Sequence, residues 1–442
     1  HYGGRVMPDR SGHPHRTLRQ RLLFGGNLVL AVALLVSGGG MLYANWKLSN
    51  RQVVTIDTVP LEGDGDLNLP EGDLSARNYL ITGSDNDACI DPDSPYAGGF
   101  GKRTTYGERS DSIMVIRVNP KDNQAAILSF PRDMWVSQAG SSRKGRINSN
   151  FDKKNPNRLV RTITENFGIK IDHYVNVDFC TFKEVVDAVG GVRVPFTYKA
   201  RDRRTGFQVL RARVCYTFQG DHALAYVRSR HYRWFDPKTN KWTSDGTSDW
   251  GRISRQQDFT KRMIKKALDK ARTNPRVATN ILNAALRNVI TDDKVTPLLL
   301  LQLGQAMRNF DADTMGSYTF PGTGQLVGKD SVIVPDFEGE VSKKILAVFQ
   351  GKARLGAKVE GASATAPAEP ADAVMIVTTT LAAVSSASAG AAAPSATTVP
   401  PATTAPGVPS TVRPAPTTTL PQVTIENNRR GVIPPDDPNC QY

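Results

Sequence analysis

Aspartates and arginines recur in four short clusters, each beside an apolar run. ITGSDND carries Asp85 and Asp87 after YLI, and ERSDSIMVI carries Arg109 and Asp111 at the start of another run. LSFPRDMWV places Arg132 and Asp133 after AILSF. ALAYVRSRHYRW places Arg228 and Arg230 two apart, and SDWGRISRQQ follows with Asp249, Arg252, Arg255 and Gln256. Carboxylates suit a hard cation such as Mg²⁺, which takes few protein ligands and keeps positions for water and phosphate oxygens. Arginine suits phosphate, because its planar fork donates two parallel hydrogen bonds and stays charged at physiological pH. Together they describe a site for a diphosphate and its metal, where phosphoryl transfer needs little beyond charge neutralisation and alignment. There is no Walker glycine loop and no GxSxG elbow, so nucleotide-loop and serine-hydrolase chemistry lack their usual parts. Taken singly, RSD, PRD and RSR are ordinary, and an isolated RxR is more often a solvated face than a site.

Clusters so far apart in the chain meet only if folding gathers them. YLI (79–81), IMVIRV (113–118), AILSF (126–130) and HYVNV (173–177) are apolar or β-branched runs of strand length. Leu159, Ile163 and Phe167 keep a helical period, as do Phe182, Val185, Val186 and Val189, closed by Gly190 and Gly191. From Ile253 to Arg272, Phe259, Met263, Ala267 and Ala271 share one face. Two more helices are expected over Arg276 to Ile290 and Lys294 to Arg308. The alternation predicts an α/β domain with helices packed on a sheet, and such a sheet collects ligand-binding groups at one edge. ALAYVRSRHYRW is read as extended, so that Tyr226, Arg228, Arg230 and Tyr232 share a side and Arg233 faces away. In a helix the two arginines would diverge.

The chain has 442 residues, with 56 Lys and Arg against 42 Asp and Glu, which points to an anionic partner. Leu22 to Trp46 contains no charged residue and is long enough to cross a bilayer as a helix. Arg5, Arg10, Arg16, Arg19 and Arg21 precede it with Asp9 as the sole acid, so the N-terminus is expected in the cytoplasm and the rest outside. A cleaved signal peptide is the rival, but its apolar region usually runs only about 7 to 15 residues. This topology disfavours nucleic acid as the partner of the basic domain. Cys89, Cys180, Cys215 and Cys440 all fall on the exported side, where disulfides persist, and no spacing suits zinc. Four cysteines allow three pairings; Cys180 with Cys215 is favoured, leaving Cys89 and Cys440. The predicted order is a cytoplasmic 1–21, a membrane anchor 22–46, a polar stalk 47–77, a folded domain 78–355 and a Pro-, Ala- and Thr-rich tail 356–442.

The motifs GSD after a strand, RSDSIMVIRV, LSFPRDMWV, RINSNF, HYVNVDFCTFKEVVDAVGGVRV, GDHALAYVRSR and DWGRISRQQDF, in that order, resemble the LytR-CpsA-Psr (LCP) family of bacterial cell-wall enzymes. The resemblance runs from about Asn78 to Leu268. It implies a three-layer α/β domain with a central mixed sheet flanked by helices. It also implies a membrane-anchored, Mg²⁺-dependent phosphotransferase that moves a glycopolymer from a polyprenyl-pyrophosphate carrier to a peptidoglycan hydroxyl. By that resemblance Asp85 and Asp111 organise the metal. Arg109, Arg132, Arg146, Arg228 and Arg230 bind the pyrophosphate, with Arg252 and Gln256 completing the pocket. Asp87 stands where the family often has an arginine, and Asn150 where it often has an alanine. The cysteines, tail and basic helix look like actinobacterial members, whose polymer would be arabinogalactan or a similar wall glycan. Hydrolysis of the same carrier, or polymer binding without turnover, are the competing readings.

Overall fold

The computed structural model describes residues 53–57, 75–85, 89–97, 110–274, 281, 289–356 and 420–440. The expected cytoplasmic segment and membrane anchor, most of the stalk, Arg109, Asp87, nearly all of the helix expected from Arg276 and the low-complexity stretch 361–419 lie outside them. The chain divides into two compact units, 1–359 with 421–442, and 360–420. All that follows concerns the first.

Each of the four runs read as a strand is one, and they lie side by side. The strands are β1 (Val53–Val54), β2 (Arg77–Ser84), β3 (Ser110–Asn119), β4 (Gln124–Phe130), β5 (His173–Asp178), β6 (Ile290–Asp292) and β7 (Gly316–Thr319), in the sheet order β1-β6-β5-β2-β3-β4-β7. β5 runs parallel to β2, while β3 is antiparallel to both β2 and β4. The sheet is therefore mixed, and the C-terminal ends of β2, β4 and β5 share one edge with the N-terminal end of β3.

Helices α1 (Asn157–Phe167), α2 (Phe179–Ala188), α3 (Gly220–Val227), α4 (Asp249–Thr273), α5 (Pro297–Ala306) and α6 (Glu340–Phe349) accompany this sheet, and smaller sheets lie outside it. Because strand side chains alternate, Ile113 and Val115 pack on one face with Leu159, Ile163 and Phe167 of α1 and Ile345 and Val348 of α6. Met114 and Ile116 point the other way, against Ile264 and Leu268 of α4 and Leu303 of α5. These are three layers, and burying a side chain such as Leu80 or Leu128 completely contributes roughly 1.5–3 kcal/mol. α2 ends where Gly190 and Gly191 take φ of 75° and 76°, conformations open chiefly to glycine. A second core of Phe196, Phe207, Phe218, Tyr226 and Phe259 lies under α3 and α4.

Three expectations are corrected. ALAYVRSRHYRW is not extended: its apolar half is the last part of α3, Arg228 caps that helix, and the next strand begins only at Arg233. The run Ala223–Val227 is buried throughout, which selects a helix packed on the second core over a one-faced strand. The disulfides join Cys89 to Cys180 and Cys215 to Cys440. Cys180 lies in the first turn of α2, whereas Cys215 pairs with Pro195 in a separate antiparallel ladder, so nearness in sequence is not nearness in space. Finally, residues 421–440 belong to the domain. Gln422 and Val423 pair with Arg354 and Leu355, and the side chains of Asn427 and Asn428 accept hydrogen bonds from the backbone of Ser317 and Thr319 on the edge strand β7.

Candidate functional site

The polar clusters meet at the edge where β2, β4 and β5 end and β3 begins. The register slips between Gly83 and Ser84, a bulge of the kind that re-aims side chains beside functional sites. Ser84 pairs with Ser110, so Asp85 and Asp111 emerge from neighbouring strand ends. Asp85 is 5% exposed.

Asp111 is the hub. Its Oδ1 accepts from Arg132 Nη1 at 2.7 Å and its Oδ2 from Arg230 Nη2 at 3.0 Å. Arg252 donates to the Asp111 backbone carbonyl at 2.8 Å and stands 3.7 Å from Oδ2. Burial alone would raise the Asp111 pKa; the charges of Arg252, Arg230 and Arg132, with the Arg132 hydrogen bond, outweigh it and hold the carboxyl well below its usual range. Asp249, in the first turn of α4, ion-pairs with Arg252 at 2.9 Å and with Arg230 at 3.2 Å. Arg132, Arg230 and Arg252 thus converge on Asp111 and Asp249, and guanidinium forks gathered at one edge suit an anion.

Supporting residues hold this geometry. Ser229, fully buried between the two arginines of RSR, donates to Asp202 at 2.8 Å, and Asp202 also accepts from the His231 backbone at 2.8 Å. That anchor buries Ser229 and leaves Arg228 and Arg230 partly exposed on either side of it. Tyr226 and Tyr232, expected beside them, are instead buried in the second core. Arg228 lies over the Phe179 ring, 4.6 Å from its centroid, at the junction of β5 and α2. Arg255 is fully buried, donates to Asp245 at 2.6 Å and to the Ser229 carbonyl at 2.9 Å, and fixes the turn from behind. Gln256 links β3 to the end of α3, accepting from Ser112 at 3.2 Å and donating to the Val227 carbonyl at 3.1 Å.

The structure therefore brings together Asp111, Arg132, Arg230 and Arg252 by direct contact, with Asp85, Arg228 and Gln256 along the same edge. Arg146 turns elsewhere: it stands 3.4 Å from Asp133 and bonds Asp330 and the Ser331 carbonyl at 3.1 Å each. Among the described residues it reaches the cluster through Asp133, which lies 3.4 Å from Arg132. Arg109 lies outside the described residues. Sequence reasoning named Asp249 but gave it no role. The available signal was an acid three residues before Arg252 at a helix start, a spacing that makes the two neighbours on a helix.

The donor set fits Mg²⁺. Asp85 and Asp111 supply hard oxygen ligands, and among the described residues no group of three or more His, Cys, Asp or Glu could cage a metal by itself. A magnesium ion held by one or two carboxylates and completed by substrate phosphates matches that supply.

The chain matches the LytR_cpsA_psr family over residues 55–346. It is 27% identical over 311 residues to the polyisoprenyl-teichoic acid–peptidoglycan teichoic acid transferase TagV of Bacillus subtilis, a match covering 69% of this chain and 72% of that protein. It is 30% identical over 206 residues to TagU of Halalkalibacterium halodurans, which bears the same transferase name, covering 47% of this chain and 62% of that one. Among solved structures it is similar to a LytR-Csp2A-Psr enzyme from Actinomyces oris, with a TM-score of 0.49 and 21% identity over 68% of this chain and 96% of the other.

Proposed function

The chain belongs to the LytR_cpsA_psr family, and from that premise we propose that it transfers a glycopolymer from a polyprenyl-pyrophosphate carrier to a hydroxyl of peptidoglycan, leaving a phosphodiester link. The observation that carries this reading is the convergence of Arg132, Arg230 and Arg252 on Asp111 at the sheet edge. Those guanidiniums are oriented before any substrate arrives. A diphosphate reaching them exchanges carboxylate partners for phosphate oxygens, which accept the same paired hydrogen bonds. As the acceptor hydroxyl attacks the glycan-side phosphorus and the bond to the lipid phosphate breaks, the arginines stabilise the charge that spreads over the phosphoryl oxygens. Asp111, with its pKa held so low, is a weak base; its part is to orient. Asp85 and Asp111 would hold Mg²⁺, whose chemistry is to neutralise the diphosphate and favour departure of the lipid phosphate.

The domain works outside the cell membrane, anchored through residues 22–46. The uncharged run with its arginine-rich flank supports this, and so do two disulfides of the kind that oxidising compartments maintain. Arabinogalactan or a similar wall glycan is the proposed polymer, on the likeness of the cysteines and tail to actinobacterial members.

The test supplies purified protein with a polyprenyl-pyrophosphate glycan, peptidoglycan and Mg²⁺. Glycan covalently joined to peptidoglycan, lost when magnesium is chelated, is the expected result. Release of phosphate without any joined product would make the protein a hydrolase instead.

A further inference from the structure

Residues 200–202, 207–209, 233–236 and 241–244 form a small sheet whose third strand begins directly after the RSR turn. Its two faces differ sharply. Ala200, Asp202, Phe207 and Val209 are buried toward the second core, so Arg201, Arg203, Gln208, Arg233, Phe235 and Trp242 occupy the outer face. Arg201 and Arg233 stand directly opposite each other in register. Like charges so placed destabilise a sheet, and among the described residues neither arginine forms an ion pair. Arg201 lies over the Trp242 ring with its Cζ 3.8 Å from the centroid, and its buried Nε has no hydrogen-bond partner. Arg233 donates to the Trp242 carbonyl at 2.6 Å. Phe235 meets Trp242 edge to face, 5.7 Å between centroids, and Lys199 stands 5.5 Å from the Phe235 ring.

A face kept merely for solubility would mix both signs of charge. This one concentrates a single sign beside half-exposed aromatic rings, three residues along the chain from Arg230. Rings offer flat apolar area for the faces of sugars, and unpaired arginines offer forks for carboxylates. We propose that this face seats the peptidoglycan acceptor, with its sugars against Trp242 and Phe235 and its stem-peptide carboxylates on Arg201 and Arg233. The acceptor hydroxyl is thereby delivered next to the diphosphate site. The assignment of the occupant rests on the transfer reading above, whereas the charge argument does not.

The test compares the full-length protein with the double variant Arg201→Gln/Arg233→Gln and with Trp242→Ala in co-sedimentation with purified peptidoglycan, either intact or stripped of stem peptides by an amidase. The double variant is expected to bind intact peptidoglycan at least tenfold more weakly while its melting temperature stays level or rises, because a repulsive pair has gone. Stripped glycan should bind the wild type and the double variant equally, and Trp242→Ala should weaken both forms of peptidoglycan. Undiminished binding of intact peptidoglycan by the double variant overturns the proposal, and so does wild-type binding that stripping leaves unchanged. A protein that binds through these residues yet transfers nothing ends the transfer reading and leaves this one standing. Transfer with an unaltered acceptor KM in the double variant does the reverse.

Discussion

Replacing Asp111 with asparagine keeps the shape of the hub and removes only its charge. In the native site that carboxylate faces Arg132 at 2.7 Å, Arg230 at 3.0 Å and Arg252 at 3.7 Å, and its side chain is 15% exposed. Breaking a buried pair from one side typically costs about 3–5 kcal/mol, because the partner charges stay buried. Asp249 still compensates Arg230 and Arg252, so a loss of about 3 kcal/mol is expected at neutral pH. The pH dependence supplies a sharper check. The folded pKa of Asp111 lies below that of the unfolded chain, near 3.9. Its contribution is therefore complete above the unfolded value and drains away as pH falls through the folded one. Urea unfolding of wild type and Asp111→Asn should show a constant gap from pH 7 down to about 5. Below about pH 4 the gap should close at no more than about 1.4 kcal/mol per pH unit. A variant as stable as wild type at pH 7, or a gap that stays fixed down to pH 2.5, would refute the hub.

Arg230→Ala should lower turnover by about 10²–10³, the loss typical of removing one preorganised donor to transition-state charge, with circular dichroism unchanged because Arg132 and Arg252 still compensate Asp111; wild-type turnover would remove Arg230 from the phosphate site. Cys215→Ser with Cys440→Ser releases the C-terminal return and should lower stability by about 2–5 kcal/mol, read as an earlier thermal transition, and an unchanged transition would mean that the strand pairing and the Asn427 and Asn428 hydrogen bonds hold residues 421–440 without the bridge. His222 is buried, and that burial, against a weaker opposing hydrogen bond from Gln208, takes its pKa down to about 4. With an unfolded value near 6.5, the neutral form's stability is complete above that pH and is lost between it and about 4, so His222→Gln should erase about 2–3 kcal/mol of acid sensitivity in that window. Identical pH profiles for the two proteins would contradict this burial.

Much of the architecture was legible in one dimension, because the rules that wrote it are local. β2, β3, β4 and β5 announced themselves as short β-branched runs, and α1, α2 and α4 as apolar stripes of helical period. The residue types at the strand ends carried the chemistry: an arginine fork and a carboxylate mean the same thing in any fold. ALAYVRSRHYRW was misread because a short apolar run followed by charge satisfies a helix and a strand equally. Burial of Ala223–Val227 against Phe218 and Phe259 decided for the helix. Ser229, hydrogen-bonded to Asp202, fixes the turn between the two arginines, and the period of a strand does not.

By itself, the sequence determined the strands β2 to β5 and the helices α1, α2 and α4, the clusters of arginine and aspartate, and the cysteines available for bridging. Only the tertiary structure decided which groups meet. It joined Asp249 to Arg230, sent Arg146 toward Asp133 and Asp330, joined Cys215 to Cys440 and opposed Arg201 to Arg233. The physical reason is that each of these contacts closes over many residues of intervening chain. Its free energy depends on how whole elements pack, so no window of neighbouring residues contains it.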